Sequence, residues 1–143
     1  MRLQKFAYFG HGWFLALTDQ ALISDRIEAW QFGPVVPTLY QAFKGYGDEP
    51  IESPMPDSVW SNGRWDIVVP LLTNMGPEAE KARSIIKRVW LEYKKYSTAQ
   101  LSNATHQPGT PWADVYKPGI KHLVIPDEII KAYFRRLAHA TYR

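Results

Sequence analysis

The stretch from Arg2 to Leu17 constrains the fold more than any other. Leu3, Phe6, Ala7, Gly10, Trp13, Phe14 and Leu17 fall at the i, i+3, i+4, i+7 spacing of one helical face. Tyr8, Phe9, Leu15 and Ala16 occupy much of the rest. A helix that is apolar nearly all round has little to offer solvent and must be enclosed on several sides. It predicts a compact helical domain around a central, buried N-terminal helix. The run is too short for the roughly 20 residues that cross a bilayer. Gly10, His11 and Gly12 interrupt it and no small-x-small cleavage site follows, so a signal peptide is not expected either. The helix starts directly at Met1 with no capping residue before it, an unusual beginning for a core element.

Beyond this helix the pattern alternates between short strands and amphipathic helices. Arg26–Phe32 reads as a strand, broken by Gly33-Pro34. Pro37 suits the first turn of a helix running to about Phe43, which Gly45 and Gly47 stop. The Pro-, Gly- and acid-rich stretch Gly45–Asp57 reads as a flexible connection inside one domain. Val59–Leu72 is β-like, with Asn62-Gly63 as a two-residue hairpin turn between Trp60 and Trp65. The Arg26–Phe32 strand is expected as the third member of that sheet.

Gly76-Pro77 opens an amphipathic helix to about Tyr96, with Ala82, Ile85, Ile86, Val89, Tyr93 and Tyr96 on its inner face. Ser97 or Thr98 caps a short helix through Ala104, and Thr110-Pro111 starts another through Tyr116. The last helix, Asp127 to Ala140, places acids first and bases last, as the helix dipole favours. The fold class is therefore mainly α with a small antiparallel β-sheet (α+β), in one domain spanning residues 1–143.

With 143 residues, the chain can bury about 68–70% of its unfolded surface and needs no staples. It has no cysteine, which excludes disulfides and thiolate metal sites and suits a reducing cytoplasm. Metal chemistry finds no footing elsewhere: His11, His106, His122 and His139 form no i, i+4 pair. Neither a G-x-S-x-G elbow nor a phosphate-cradling glycine loop occurs. No catalytic residue, no metal and no cofactor is expected, and the chain reads as a non-enzyme.

Binding is the remaining route to function. Six Trp and eight Tyr supply large rigid bodies that must be buried or face a partner. Trp30, Trp60 and Trp65 lie on or beside strands that a small sheet cannot cover on both sides. They either pack beneath helices or serve as contact residues, a role in which Trp is enriched. Charge is divided: residues 1–80 hold five basic and ten acidic groups (−5), residues 81–143 twelve basic and four acidic (+8). Lys87, Arg88, Lys94 and Lys95 belong to this basic half. They read first as a solvated helix face, and otherwise as contacts for an acidic protein or a nucleic acid. Structural use is the favoured reading of Gly33, Pro34 and Pro37, and of the segment holding His106, Pro111 and Trp112. In that segment Pro108-Gly109 turns the chain, Thr110 caps, Pro111 sets the first helical φ and His106 can bond backbone carbonyls.

Several of these segments together resemble the Panacea antitoxin domain, the SocA-like family common in prophage and mobile-element operons. They are Leu3-Gln4-Lys5 running into Tyr8 and His11-Gly12-Trp13; Arg26-Ile27-Glu28-Ala29-Trp30; Phe32-Gly33-Pro34-Val35-Val36-Pro37 with Leu39-Tyr40; and Phe43-Lys44-Gly45-Tyr46-Gly47. Val89-Trp90, Tyr93, Lys95-Tyr96-Ser97, Leu101-Ser102, Thr105-His106 and Thr110-Pro111-Trp112 continue the series. The resemblance spans roughly residues 2–117. It implies a protein that neutralises a cognate toxin by direct binding, with delivery to a protease such as an ATP-dependent unfoldase complex as a further role. It brings no catalytic residues. A nucleic-acid-binding regulator using the basic C-terminal half is the alternative. Two features depart from the family: the helix that usually precedes the Leu3-Gln4-Lys5 segment is missing, and residues 53–75 match no family signature. Without that helix the first helix should be left partly bare, to be covered by a second copy of the chain or by a partner.

Overall fold

The computed structural model describes residues 1–54, 56–68 and 77–141. Among these residues, six helices and two β-hairpins make an α+β, mainly helical fold: α1 (Arg2–Thr18), β1 (Glu28–Trp30), β2 (Gly33–Val35), α2 (Pro37–Phe43), a 3-10 turn (Lys44–Tyr46), β3 (Asp57–Ser61), β4 (Arg64–Val68), α3 (Pro77–Tyr93), α4 (Thr98–His106), α5 (Pro111–Val115) and α6 (Asp127–Thr141). Helix α1 is central, packed against α6, α3, α4 and β2. Its middle is covered on these sides, so the bareness expected from the sequence is confined to its two ends. Its large exposed apolar side chains are Leu3 and Leu17, near the two ends.

The most extensive helix packing is between α1 and α6. Phe134 is fully buried, with the rings of Tyr8, Phe9, Trp13 and Tyr133 at 5.3–6.2 Å between centroids. It fits because residue 12 is glycine: a Cβ there would stand 2.2 Å from Phe134 Cε2. Phe9 stacks on Tyr93 at 4.3 Å, which brings α3 onto α1, and Trp13 Nε1 donates to the Tyr93 hydroxyl at 3.0 Å. Asp19, left-handed at the end of α1 (φ 62°), accepts from Lys131 Nζ at 2.7 Å and Arg135 Nη2 at 3.2 Å, fastening this end to α6.

Polar side chains of α1 complete the frame from inside. Gln4 treats Val36 as a strand would, accepting its N–H at 2.9 Å and donating to its carbonyl at 3.3 Å. Lys5, with no exposed surface, donates to the Phe32 carbonyl at 2.7 Å. Burial pushes its amine down to about 8. His11 accepts the Ile23 N–H on Nδ1 at 3.2 Å, so Nε2 carries the proton of the neutral ring and donates to Asp127 Oδ1 at 2.9 Å. This bond sets the start of α6 against the middle of α1.

Two expectations about the strands need correction. Gly33-Pro34 does not break the first strand's sheet; it begins β2, which returns on β1 in the register Glu28–Val35, Ala29–Pro34, Trp30–Gly33. With Trp30–Gly33 closing a two-residue loop, alternation leaves Ala29–Pro34 as a non-hydrogen-bonded pair, where proline's missing N–H costs the ladder nothing. Second, the β1 hairpin does not join the Trp60–Trp65 hairpin. The outer side of β1 is taken by residues 123–125, through Ala29 N–H to Leu123 O and Ile125 N–H to Ile27 O, both 2.8 Å. Strand β4 is described to Val68; residues 69–72 of the expected strand, and Gly76 before α3, lie outside the described residues.

Helix α3 ends at Tyr93 rather than Tyr96, and Ile86 and Tyr96 are exposed. Its buried line is Ala79, Ala82, Ile85 and Val89. A capping box, Ser97 with Gln100, starts α4, and the Thr110 hydroxyl caps α5 by accepting from Ala113 N–H.

Candidate functional site

Hairpin β3–β4 is built by a local signal. Asn62 and Gly63 both adopt positive φ (51° and 77°), the type I′ geometry that matches the twist of two-residue hairpins. The pairs Ser58–Ile67 and Trp60–Trp65 fall on one face of the ribbon, Asp57–Val68, Val59–Asp66 and Ser61–Arg64 on the other. Trp60 and Trp65 meet edge to face at 5.4 Å. Yet Trp60 is 58%, Trp65 67% and Ile67 81% exposed. Each such side chain left in water forgoes up to about 1.5–3 kcal/mol of burial. An isolated two-stranded ribbon is also marginal by itself. The other face is mixed, with Val59 and Val68 exposed beside a polar cluster in which Arg64 Nε and Ser61 Oγ are both 3.0 Å from the Asp66 carboxylate.

The basic candidates on and after α3 do not form one patch. On α3, Lys81 and Arg88 are seven residues apart and share one side, Lys87 lies on another, and Lys94 and Lys95 stand beyond the helix end at Tyr93. All five are exposed. Lys95 is paired with Glu92 at 3.0 Å and lies 5.3 Å from the Tyr96 ring centre; the Glu92 carboxylate raises its amine above the ordinary lysine range. The Lys94 carbonyl accepts from Arg2 Nη2 at 2.6 Å. Arg88 opens onto an apolar groove of about 570 Å³ where α1, α3 and α6 meet, with Trp13, Leu17, Leu91 and Leu137 among its walls.

Trp30 lies elsewhere in the fold and is half-buried. Its ring rests edge-on against Tyr40 at 5.1 Å, and its Nε1 donates to Glu28 Oε2 at 3.2 Å. A cleft of about 470 Å³ opens beside it, lined by Gln31, Tyr116, Lys121 and His122. At its edge the buried Glu28 carboxylate is held by Trp30, Arg26 and His122. Burial acts to raise this carboxyl, but the three donors together bring it below the usual range.

The Gly33, Pro34 and Pro37 run and the His106–Trp112 segment meet around the turn of the β1–β2 hairpin. His106 turns Nδ1 to the Ser102 carbonyl and Nε2 to the Gln31 carbonyl (3.2 Å), with the Trp112 ring 3.9 Å away. Trp112 Nε1 donates to the Trp30 carbonyl at 2.7 Å. Gly33 (φ 116°) permits this crowding, since a Cβ there would meet Lys5 Nζ at 2.3 Å and Thr105 Oγ1 at 2.9 Å. Pro34 and Pro111 are fully buried, and Pro37 begins α2. Lys5, His11 and Glu28 are polar residues at enclosed positions of an apolar helix or strand, the one local signal of their anchoring role.

Chemically these surfaces offer apolar and aromatic area bordered by charge. Among the described residues no three His, Asp or Glu side chains gather as metal ligands, and no helix is long and apolar enough to cross a membrane. Comparison with known proteins gives a match to the family model described as "Antitoxin SocA-like, Panacea domain" over residues 3–113. Antitoxin SocA of Caulobacter vibrioides (strain NA1000 / CB15N) is 34% identical over 139 residues, covering 94% of this chain and 71% of that protein. No solved structure matches.

Proposed function

The chain belongs to the SocA-like Panacea antitoxin family, and from that premise we propose that it neutralises a cognate toxin protein by binding it directly. The observation that carries this reading is the exposed aromatic face of Trp60, Trp65 and Ile67. Large rigid side chains placed together in water are the usual centre of a protein contact. The basic side chains Lys87, Arg88, Lys94 and Lys95, with Trp30 at its separate cleft, supply further contact points. Delivery of the bound toxin to an ATP-dependent unfoldase–protease is a further part of this proposal.

Co-expression with the product of the adjacent gene tests this reading. Growth should be rescued and a complex recovered, and the half-life of that product should shorten only when the unfoldase is present. A neighbour that is harmless and forms no complex overturns the toxin-binding reading; a stable, unchanged half-life within a neutralising complex removes only the delivery role. The exposed cations of α3 favour a second reading, binding to operator DNA. It requires a salt-sensitive mobility shift, and no shift at low salt dismisses it.

A further inference from the structure

We infer that the cleft beside Trp30 docks an acidic segment of the toxin. An aromatic or branched apolar side chain of that segment sits against Trp30, Tyr116 and Ile120, and a neighbouring carboxylate faces Lys121. The partner's identity rests on the toxin-binding reading above; the chemistry of the cleft does not. The cleft holds about 470 Å³, within the roughly 300–1,000 Å³ usual for preformed sites. Its walls are fastened from behind. Three successive carbonyls of the β1–β2 turn are each met by side chains of the helices: Trp30 O by Trp112 Nε1 (2.7 Å), Gln31 O by His106 Nε2 (3.2 Å), and Phe32 O by Lys5 Nζ (2.7 Å) and Ser102 Oγ (3.1 Å). The Trp112 ring also stacks on Tyr116 at 4.4 Å, so one residue sets the backbone of one wall and the ring of another. His122 Nδ1, 3.2 Å from the Glu28 carboxylate, ties the 119–122 loop to β1. Lys5 places a fully buried ammonium under the turn, which costs far more desolvation than the Ser102 hydroxyl that already donates to the same carbonyl. Walls fixed in advance raise affinity, because little remains to be ordered when a partner arrives.

Charge and apolar area together select the occupant. Lys121 and His122 are the ionisable cationic residues of the lining, and no acid stands in it. Glu28, at the edge, has no exposed surface, and its carboxylate is taken up by Arg26, His122 and Trp30. With Arg26 set against Glu28, Lys121 is the excess charge at the mouth, and among the described residues it forms no ion pair. A nucleic-acid backbone would need a row of cations here. The surface beside Lys121 is apolar instead: Phe32, next to Gln31 in the turn, is 58% exposed, Ile120 53%, and Tyr40, edge-on to Trp30, 41%. Aromatic and apolar area with one cation at its edge complements an apolar side chain flanked by a carboxylate. The apolar part supplies the anchor and the charge pair fixes its orientation.

The test follows the Trp30 indole N–H and the Gln31, Ile120 and Lys121 amides of the isotope-labelled full chain in NMR titrations. The probe is a blocked pentapeptide, one phenylalanine flanked by two acids on each side, compared with its amide and lysine counterparts and with a deoxythymidine hexanucleotide. The acidic peptide should move all four signals with a Kd of about 1 mM or tighter. The amide counterpart should bind about fivefold more weakly, the worth of one exposed charge pair, and the lysine counterpart should leave the signals still. Lys121→Glu should abolish the response, whereas Lys87→Glu, the same charge change on α3, should keep it; circular dichroism melting checks that both variants are folded. Silent signals, equal response to the acidic and amide peptides, equal damage from the two variants, or tighter binding of the oligonucleotide overturns the inference. Capture of the adjacent gene's product then separates site from partner. Loss of capture with Lys121→Glu supports the cleft as the toxin's dock. Capture equal in wild type and Lys121→Glu overturns that dock and leaves neutralisation intact. Peptide bound in the cleft with no product captured supports the cleft's chemistry and sinks the toxin reading.

Discussion

Replacing Gly12 by alanine is the sharpest test of how the core is assembled. In an ordinary helix the change should stabilise, since alanine is favoured over glycine by about 0.8–1 kcal/mol. Here the new Cβ would lie 2.2, 2.3 and 2.7 Å from Cε2, Cδ2 and Cζ of Phe134. Carbon atoms pack at roughly 3.5–4.0 Å, so the ring or the helix must give by roughly 1.3 Å. Phe134 has nowhere to go, because four aromatic rings surround it. Over-packing of this kind costs about 1–3 kcal/mol or more. With the upper part of that range applying at so close a contact, the net loss should be about 2 kcal/mol. For a domain near this size that lowers Tm by about 4–8 °C. Gly10→Ala is the internal control, because its Cβ would meet only Leu22 Cδ2 at an ordinary 3.7 Å, and it should hold or raise Tm. Phe134→Leu should cost less in the Gly12→Ala background than in wild type, a coupling that a double-mutant cycle reads directly. Thermal and urea unfolding of the four variants suffices. If Gly12→Ala is as stable as Gly10→Ala, the notch account is wrong.

Other perturbations have equally definite outcomes. Lys5 titrates near 8 when folded against 10.5 when exposed; between those values the unfolded chain binds more protons, so stability should rise with pH, by up to about 3 kcal/mol. Lys5→Met should flatten that rise in urea unfolding run at a series of pH values. Above pH 10 the sign reverses: burial raises the hydroxyls of Tyr8, Tyr93 and Tyr133, so the unfolded chain loses protons first and stability should fall. His11→Ala strands the Ile23 N–H and frees Asp127, for a loss of about 3 kcal/mol, whereas Asp127→Asn keeps an acceptor and should cost about 1. Equal losses would show that the bond between them is not what matters. Ser97→Ala should cost about 1 kcal/mol through the capping box, measurable as a drop in the urea midpoint at unchanged m.

What the sequence makes legible follows from the range of the forces involved. The Asn62-Gly63 turn and the Ser97 and Thr110 caps are written in a few adjacent residues, and each appears where its residues place it. Helix α1 is legible because enclosure on all sides leaves its mark on every turn. The partners of its buried polar groups are not, since Phe32, Val36 and Asp127 stand 27, 32 and 116 residues away. The same holds for the strands. Nothing local says whether β1 will pair with the Trp60–Trp65 hairpin or with residues 123–125, and Pro34 looks like a break until its pairing position is known. Of the candidate binding residues, the hairpin tryptophans could be suspected from a ribbon too small to cover two faces. The groove that faces Arg88 could not, because three helices distant in sequence create it.

The Gly12 notch also bears on how the chain is made. Its filler, Phe134, is synthesised 122 residues later, so the most apolar helix leaves the ribosome long before the segment that shields it. During that interval α1 has no stable enclosure, and transiently exposed apolar surface of this kind is what chaperones capture and proteases cut. Messages or breakages that stop translation short of α6 therefore yield products that never mature. Steady-state abundance of this protein should be set as much by the survival of its nascent form as by the stability of the finished one.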